Sequence, residues 1–183
     1  MTRSGQLLAS LFCALALSTA PGAQSPAVMS VVKAGRLLDP RSGKLLSPAA
    51  VRIENDRIKE VGAPAQVQAH APADARVLDP GSATLLPGLI DAHSHLLLDV
   101  MVPPEAEIGR GYNGTFAPGA RRAATTNAAE MLGWQDRIGT VEAGKFADLV
   151  AVAADPLEDI GELERVGFVM KAGQVIRNDL AAR

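Results

Sequence analysis

The pattern of apolar and polar positions predicts a chain built mainly from short β-strands. Val28 to Leu38 is apolar and rich in β-branched residues, as is typical of a strand. Ala50 to Glu54 and Arg57 to Val61 flank Asn55-Asp56, a turn sequence, so these two segments are expected to form a hairpin. Further strands are expected at Arg76 to Leu78, Thr84 to Leu86 and Ala147 to Ala153, followed by a hairpin of Val166 to Lys171 with Gln174 to Arg177.

The segments between these strands carry other patterns. Residues 63–74 are rich in Ala, Pro and Gln and are interpreted as a surface connection. Ala120 to Leu132 favours a helix that stops near Gly133, and Leu157 to Glu164 favours a short helical turn. Leu89 to Leu98 is apolar on both faces apart from a few polar residues, which is typical of a strand buried on both sides.

The N-terminal residues differ from the rest and are interpreted as a secretory signal peptide. Arg3 precedes an apolar run from Leu7 to Leu17, which is followed by small residues up to Ala23. A run of about 11 residues is too short to span a bilayer, which takes about 20. The alternative is a buried N-terminal helix. The signal interpretation predicts a secreted or periplasmic protein with no membrane association after cleavage.

Composition and charge limit the possible partners. The formal net charge is −2, from 18 basic and 20 acidic residues that are interspersed along the chain. We therefore expect no nucleic-acid partner. Aromatic residues make up 3% of the chain, which gives no stacking platform for bases, and 48% apolar content is ample for a core. Cys13, the only cysteine, lies in the signal segment, so no disulfide is expected.

Two histidines stand two residues apart in the stretch LLPGLIDAHSH, which ends at His95. Residues i and i+2 of a strand project to the same face, so His93 and His95 are candidate ligands of one divalent metal ion. The alternative is two polar residues at a strand end with no metal. Asp91 shares the strand face of the pair but lies one step further from the strand end where barrel chemistry gathers, so it is not expected to complete the site. Asp99, Glu105 or Glu107 could fold back as a third ligand, although loop carboxylates are usually solvated.

Two further segments of the sequence extend the resemblance carried by this motif. Together with TTNAAEMLGWQDRIGTVEAGKFADLVAVAADPLEDI and VGFVMKAGQVIRN near the C-terminus, it resembles the amidohydrolase superfamily, particularly its imidazolonepropionase-like and Xaa-Pro dipeptidase-like members. The resemblance implies a metal-binding (β/α)₈ barrel inserted into a small β-sandwich that both chain ends build. It also implies hydrolysis of carbon-nitrogen bonds, in which the metal acidifies a bound water and polarises the scissile carbonyl.

Only part of the family's site carries over to this chain. His93 and His95 match the two first-strand ligands, whereas the later lysine, histidines and catalytic aspartate have no counterpart. A barrel takes about 200 residues or more, yet roughly 30 separate His95 from the helix around Ala124. No catalytic residue is therefore assigned, and whether this chain is an active enzyme stays open.

The predicted fold is mainly β with minor α: a composite β-sandwich that carries a remnant, first strand and last helix, of a (β/α)₈ barrel. The predicted parts are residues 1–23 (signal peptide), 24–86 (N-terminal half of the sandwich), 87–135 (truncated barrel remnant) and 136–183 (C-terminal half).

Three functional interpretations follow. The first is a hydrolase of amide, lactam or dipeptide-like small molecules with a divalent metal, zinc being the expected ion, whose activity is impaired. The second is a non-catalytic β-sandwich remnant, in which the exposed apolar segment Leu89 to Leu98 favours homo-oligomers. The third is an incomplete gene model.

Other conspicuous residues have structural interpretations. His70 is predicted to be a surface histidine, and Asp148 to cap or pair locally. Gly139, Gly144 and Gly173 mark turns, and Trp134 is predicted to be a packing residue for the sandwich.

Overall fold

The computed structural model describes residues 27–92 and 117–180, which form a mainly β fold. Its strands are β1 (Met29–Ala34), β2 (Arg36–Leu38), β3 (Leu45–Leu46), β4 (Ala49–Glu54), β5 (Arg57–Gly62), β6 (Arg76–Leu78), β7 (Thr84–Pro87), β8 (Leu149–Val152), β9 (Phe168–Lys171) and β10 (Gln174–Asn178). Its helices are α1 (Pro64–Ala69), α2 (Ala117–Ala123), α3 (Thr126–Met131) and a 3₁₀ helix (Ile160–Arg165). Within the described ranges, no helix is long and apolar enough to cross a membrane.

The first sheet has the strand order β5-β4-β1-β6. The predicted hairpin is confirmed: β4 and β5 pair antiparallel around Asn55, whose positive φ of 54° suits a tight turn. β1 pairs antiparallel with β4 and parallel with β6.

The second sheet has the order β10-β9-β8-β7-β2-β3 and joins the two halves of the chain. β7 pairs antiparallel with β8, so that Thr84 lies opposite Val152 and Pro87 opposite Leu149. The C-terminal hairpin of β9 and β10 forms as predicted and turns at Ala172 and Gly173, both of which have positive φ. Neither half of the chain therefore completes this sheet alone.

The main core lies between the two sheets. Val51 and Ile53 of the first sheet share one buried cluster with Leu85, Leu149 and Phe168 of the second. Because these residues are at most 1% exposed and come from both halves, burial of apolar surface stabilises the halves together.

Two smaller clusters cover the outer faces of the sheets. Val67 of α1 packs on Val31 and Ala50 of the first sheet. On the second sheet, Leu86 and Val152 belong to a cluster against which Leu157 and Leu163 pack. The residues around the 3₁₀ helix thus cover the outer face of the second sheet, as α1 covers the outer face of the first.

Several expectations need correction. Residues 64–69 form α1 where a plain connection was predicted, because Pro64 suits the first turn of a helix and Val67 supplies a buried contact. The expected single helix from Ala120 to Leu132 is two helices, α2 and α3. They break at Thr125, which is fully buried with φ −139° and whose hydroxyl donates to the Arg121 carbonyl at 2.6 Å.

The strand predicted from Leu89 to Leu98 is not present over its described part. Residues 88–92 have no strand structure, and Leu89 is 42% exposed; the remainder of that prediction lies outside the described residues. Trp134, predicted to be a packing residue for the sandwich, is 49% exposed and lies at the surface. It follows Gly133, whose positive φ of 68° is typical of the residue after the end of a helix.

Candidate functional site

The described structure follows the histidine motif as far as Ala92. His93 and His95 lie outside the described residues, as do the possible additional ligands Asp99, Glu105 and Glu107. The metal-site prediction at the pair therefore stays a prediction. The structure does define the backbone that leads into the pair.

The start of the motif is held by two main-chain hydrogen bonds. Gly88 N donates to the Asp148 carbonyl at 2.8 Å, and Ile90 N donates to the Ala124 carbonyl at 2.9 Å. A β-carbon on Gly88 would lie 3.2 Å from the β-carbon of Asp148, so the glycine permits this close approach. The chain is thus positioned between β8 and the junction of α2 and α3 immediately before the histidines.

The Asp148 carboxylate is engaged in local structure. Oδ2 accepts a hydrogen bond from Lys171 Nζ at 2.5 Å, and Oδ1 accepts one from the Ala172 main-chain N at 2.8 Å. The side chain is 14% exposed. The predicted local role is confirmed: Asp148 fixes the β9–β10 turn, and both of its oxygens already have partners.

His70 is a surface residue, as predicted, with a side chain that is 58% exposed. Its Nδ1 lies 2.9 Å from Glu60 Oε1, and Glu60 also accepts hydrogen bonds from Gln66 and Arg52. The hydrogen bond with His70, with help from Gln66 and Arg52, holds the pKa of Glu60 below its usual range. This cluster fixes the end of α1 to the first sheet.

An apolar cleft of about 550 Å³ opens beside the motif. We call it the Trp134 cleft and define it by six of its lining residues: Leu89, Ile90, Trp134, Ile138, Phe146 and Met170. Its size is in the range of small-molecule pockets, and its lining is mainly apolar. Gly139 lies next to Ile138 with φ 89°; a β-carbon there would be 2.8 Å from the β-carbon of Ala129, so α3 packs tightly against this loop.

Sequence reasoning missed Lys145, which organises the same loop. Its side chain is 8% exposed, and Nζ donates to the main-chain oxygens of Gln135 at 2.6 Å and Ile138 at 3.4 Å. Nζ also lies 3.3 Å from Glu142 Oε2. No periodic pattern in the sequence could have identified Lys145. Its role depends on main-chain carbonyls that come together around its amino group only when the loop is folded.

Glu142 connects that loop to the N-terminal half. Its carboxylate accepts hydrogen bonds from Thr140 at 2.9 Å and from Arg41 at 2.6 Å. Partial burial acts to raise the pKa of Glu142, but the hydrogen bond from Thr140 and the charges of Lys145 and Arg41 outweigh it and lower that pKa. The carboxylate is therefore kept ionised as part of a structural network.

The described residues do not complete a metal site. Over residues 27–92 and 117–180, no group of three or more His, Cys, Asp or Glu side chains could hold a metal ion. A catalytic zinc ion normally has three protein ligands. Residues 27–92 and 117–180 thus supply no complete ligand set of their own.

Comparison with known proteins supports the resemblance. A family model described as Amidohydrolase family matches residues 112–176. The imidazolonepropionase of Micrococcus luteus is 38% identical over 122 residues, which cover 66% of this chain and 28% of that protein. The 5-methylthioadenosine/S-adenosylhomocysteine deaminase of Syntrophobacter fumaroxidans is 32% identical over 143 residues, covering 67% of this chain and 32% of that protein.

A solved structure shows the same fold. The putative prolidase from Bifidobacterium longum aligns with a TM-score of 0.66 at 11% identity, over 86% of this chain and 97% of that chain. At this identity the likeness shows the fold alone.

These matches and the geometry define a composite β-sandwich of the kind found in this family. The chain is similar in sequence to the amidohydrolase superfamily, most clearly over residues 112–176. It spans about a third or less of the length of the two curated relatives. Members of this superfamily generally use divalent metals.

Proposed function

We propose that this chain is derived from a metal-dependent hydrolase that acts on carbon-nitrogen bonds of small amide, lactam or dipeptide-like molecules, and that its own hydrolytic activity is impaired. One observation carries the proposal. The chain that leads into His93 is held by Asp148 and Ala124, both within the region that matches the amidohydrolase family. The first-strand motif and the family-matched C-terminal region therefore meet at one place.

The substrate class follows from the relatives. They include proteins named as an imidazolonepropionase and a deaminase, and the fold is shared with a putative prolidase. These names suggest substrates that are small molecules with a carbon-nitrogen bond. The Trp134 cleft beside the motif has the volume of a small-molecule pocket.

Zinc is the metal that we propose for His93 and His95. Imidazole nitrogen is a ligand that suits zinc, and two histidines at i and i+2 would project to one face if the segment that carries them were extended. Two ligands are fewer than the usual three for a catalytic zinc ion, so we expect weak binding and impaired hydrolysis.

A non-catalytic β-sandwich is the second candidate. It is favoured by Asp148, whose carboxylate is engaged by Lys171 and Ala172 and does not add a ligand. An incomplete gene model is the third, and the DNA around the codons for Gly114 to Arg122 would show whether coding sequence for a barrel was left out there.

The organisation of the chain completes the proposal. Residues 1–23 would be a signal peptide that directs the protein to the periplasm or the exterior. Residues 87–135 would be the barrel remnant between sandwich halves 24–86 and 136–183. The exposed apolar residues near the motif favour self-association.

The test is metal content followed by activity. The purified chain is dialysed to equilibrium against a fixed concentration of zinc and analysed for bound metal, alongside the double variant His93→Ala/His95→Ala and the matched control His70→Ala. We expect bound zinc in the unmodified chain and in the control, and its loss in the double variant. Each protein is then assayed with amide, lactam and dipeptide substrates.

The outcomes separate the candidates. Less than about 0.1 zinc per chain would reject the metal-dependent hydrolase, because metal-bound water is its nucleophile. Zinc that depends on the histidine pair, with slow hydrolysis lost in the double variant, would support the proposal. Zinc without hydrolysis of any substrate would favour the non-catalytic sandwich.

A further inference from the structure

The structure describes two segments of the chain, an N-terminal segment of residues 27–92 and a C-terminal segment of residues 117–180. They meet where β7 of one segment pairs with β8 of the other, from Thr84 opposite Val152 to Pro87 opposite Leu149. Every residue of both strands is buried. Separation of the segments would therefore expose apolar surface and an unpaired strand edge on each of them.

A second contact between the segments lies next to the β4–β5 turn. Ile58 N donates to the Lys145 carbonyl at 2.9 Å, and Gly144 N donates to the Ile58 carbonyl at 2.8 Å. Ala147 N donates to the Asp56 carbonyl at 2.8 Å. Because Ile58 belongs to β5 of the first sheet, these main-chain hydrogen bonds join the C-terminal segment to that sheet as well.

Side chains from both segments reinforce the contact. The Arg57 guanidinium lies 3.6 Å from the centroid of the Phe146 ring, a distance at which a cation and an aromatic face attract each other. In the opposite direction, Arg121 of α2 is 7% exposed, and its Nε donates to the Pro40 carbonyl at 3.0 Å. Each segment therefore contributes a cation that binds a group of the other segment.

The main core is shared between the segments as well. Val32 and Ile58 of the N-terminal segment belong to the same cluster as Ala147 and Met170 of the C-terminal segment, and all four are at most 2% exposed. A shared apolar core with strand pairing is typical of an obligate interface between two polypeptides, which resembles a domain core cut in half. Every contact named here lies within the two described segments.

We propose that the two segments are a binding pair whose interface holds without the covalent link, so that the protein stays assembled and folded when the chain is cut between them. The link keeps the segments at a high effective concentration, but the contacts provide the recognition. Each segment is the partner of the other, and a protease that cuts between them leaves a two-chain protein. The inference does not depend on metal binding or on hydrolysis.

The test cuts the full chain at one place. A recognition sequence for a site-specific protease is inserted after Gly111, and cleavage is followed on a denaturing gel. Co-expression of residues 1–111 and 112–183 as separate chains gives the same species if the inserted site resists the protease. At about 10 μM, where a complex of micromolar or tighter affinity stays assembled, we expect both pieces in one size-exclusion peak at the position of the uncut chain. Far-UV circular dichroism and Trp134 emission should equal those of the uncut chain.

A matched pair of substitutions tests whether the assigned contacts hold the segments together. Phe146→Ala removes the ring that faces Arg57, and in the cut protein it should raise the dissociation constant by about tenfold or more. In the uncut chain the same variant should stay folded, because the link keeps the segments at an effective concentration of about millimolar. The control Ile176→Ala, at a residue that is 65% exposed, should change the constant by less than about twofold. Dilution series in moderate urea, followed by Trp134 emission, give these constants.

Three results would overturn the proposal. The first is a cut protein whose two pieces elute apart at the stated concentration. The second is a cut protein that elutes only as aggregates or has lost the circular dichroism of the uncut chain. The third is a dissociation constant that Phe146→Ala and Ile176→Ala change equally, which would show that the assigned contacts do not hold the pair.

Discussion

Leu85 of β7 pairs antiparallel with Ala151 of β8, and both residues are completely buried. One comes from the N-terminal half of the chain and the other from the C-terminal half. Because the second sheet is continuous only through this pairing, the two halves are expected to unfold as one cooperative unit.

Leu85→Ala tests this dependence. Leu85 belongs to the core cluster between the sheets, so its truncation should leave a cavity and lower the free energy of unfolding by about 2–5 kcal/mol. Urea denaturation followed by circular dichroism measures the loss. The matched control is Ile176→Ala, because Ile176 is 65% exposed and its truncation should change stability by less than about 0.5 kcal/mol. Equal effects of the two substitutions would contradict the assigned core.

The hairpins of this fold could be predicted because their turn residues are local signals. Asn55 and the Ala172-Gly173 pair adopt positive φ, and the flanking strands pair antiparallel as the sequence indicates. The break between α2 and α3 was not predictable in the same way. It depends on the burial of Thr125 and on the approach of Gly139 to Ala129, both of which are tertiary contacts.

At the candidate site, too, local sequence signals could be predicted and tertiary contacts could not. The motif that ends at His95 and its family resemblance were evident from the sequence, and the comparisons confirm the resemblance. The exposure of Trp134 was missed, because an aromatic residue after a helix gives no indication of which surface it joins. Lys145 was missed since its partners are main-chain oxygens that only the folded loop brings together.

Lys145→Met should destabilise the loop that lines the Trp134 cleft. Methionine keeps much of the side-chain volume but leaves the carbonyls of Gln135 and Ile138 without their donor. The expected loss is about 1–3 kcal/mol in the free energy of unfolding. Trp134 fluorescence should also change, because Gln135 is its neighbour. Lys44→Met, at an exposed lysine, is the control and should have little effect; a loss as large as that of Lys145→Met would contradict the assigned role.

Glu162 should make stability depend on pH. The hydrogen bond from Arg165, with that from the Ala154 main-chain N, lowers the pKa of Glu162 below its ordinary value of 4.5. A carboxyl group whose pKa is lower in the folded state stabilises the fold above its unfolded pKa, and loses this contribution as pH falls through the folded pKa. The unmodified chain should therefore exceed Glu162→Gln in stability at pH 7, and the difference should shrink below pH 4.5.

Denaturation at a series of pH values measures that difference. Glu164→Gln provides the control for the substitution itself at a neighbouring exposed residue. A difference for Glu162→Gln that grows as pH falls would have the wrong sign and would reject the assigned interaction.

Gly173→Ala should be among the most damaging single substitutions at a turn. Gly173 has φ 76°, and a β-carbon there would lie 1.9 Å from the Asn55 carbonyl oxygen, so the β9–β10 turn and the β4–β5 turn would have to separate. Two causes contribute to this loss: the positive φ and the steric clash. Gly81→Ala isolates the first, because Gly81 has φ 69° but no atom within 4 Å of a built β-carbon. The control should lose only the backbone term of about 1–2 kcal/mol. Gly173→Ala should lose at least about 2 kcal/mol more, through the steric clash. Urea denaturation of both variants measures this excess, and equal losses would show that the two turns do not pack as closely as the structure places them.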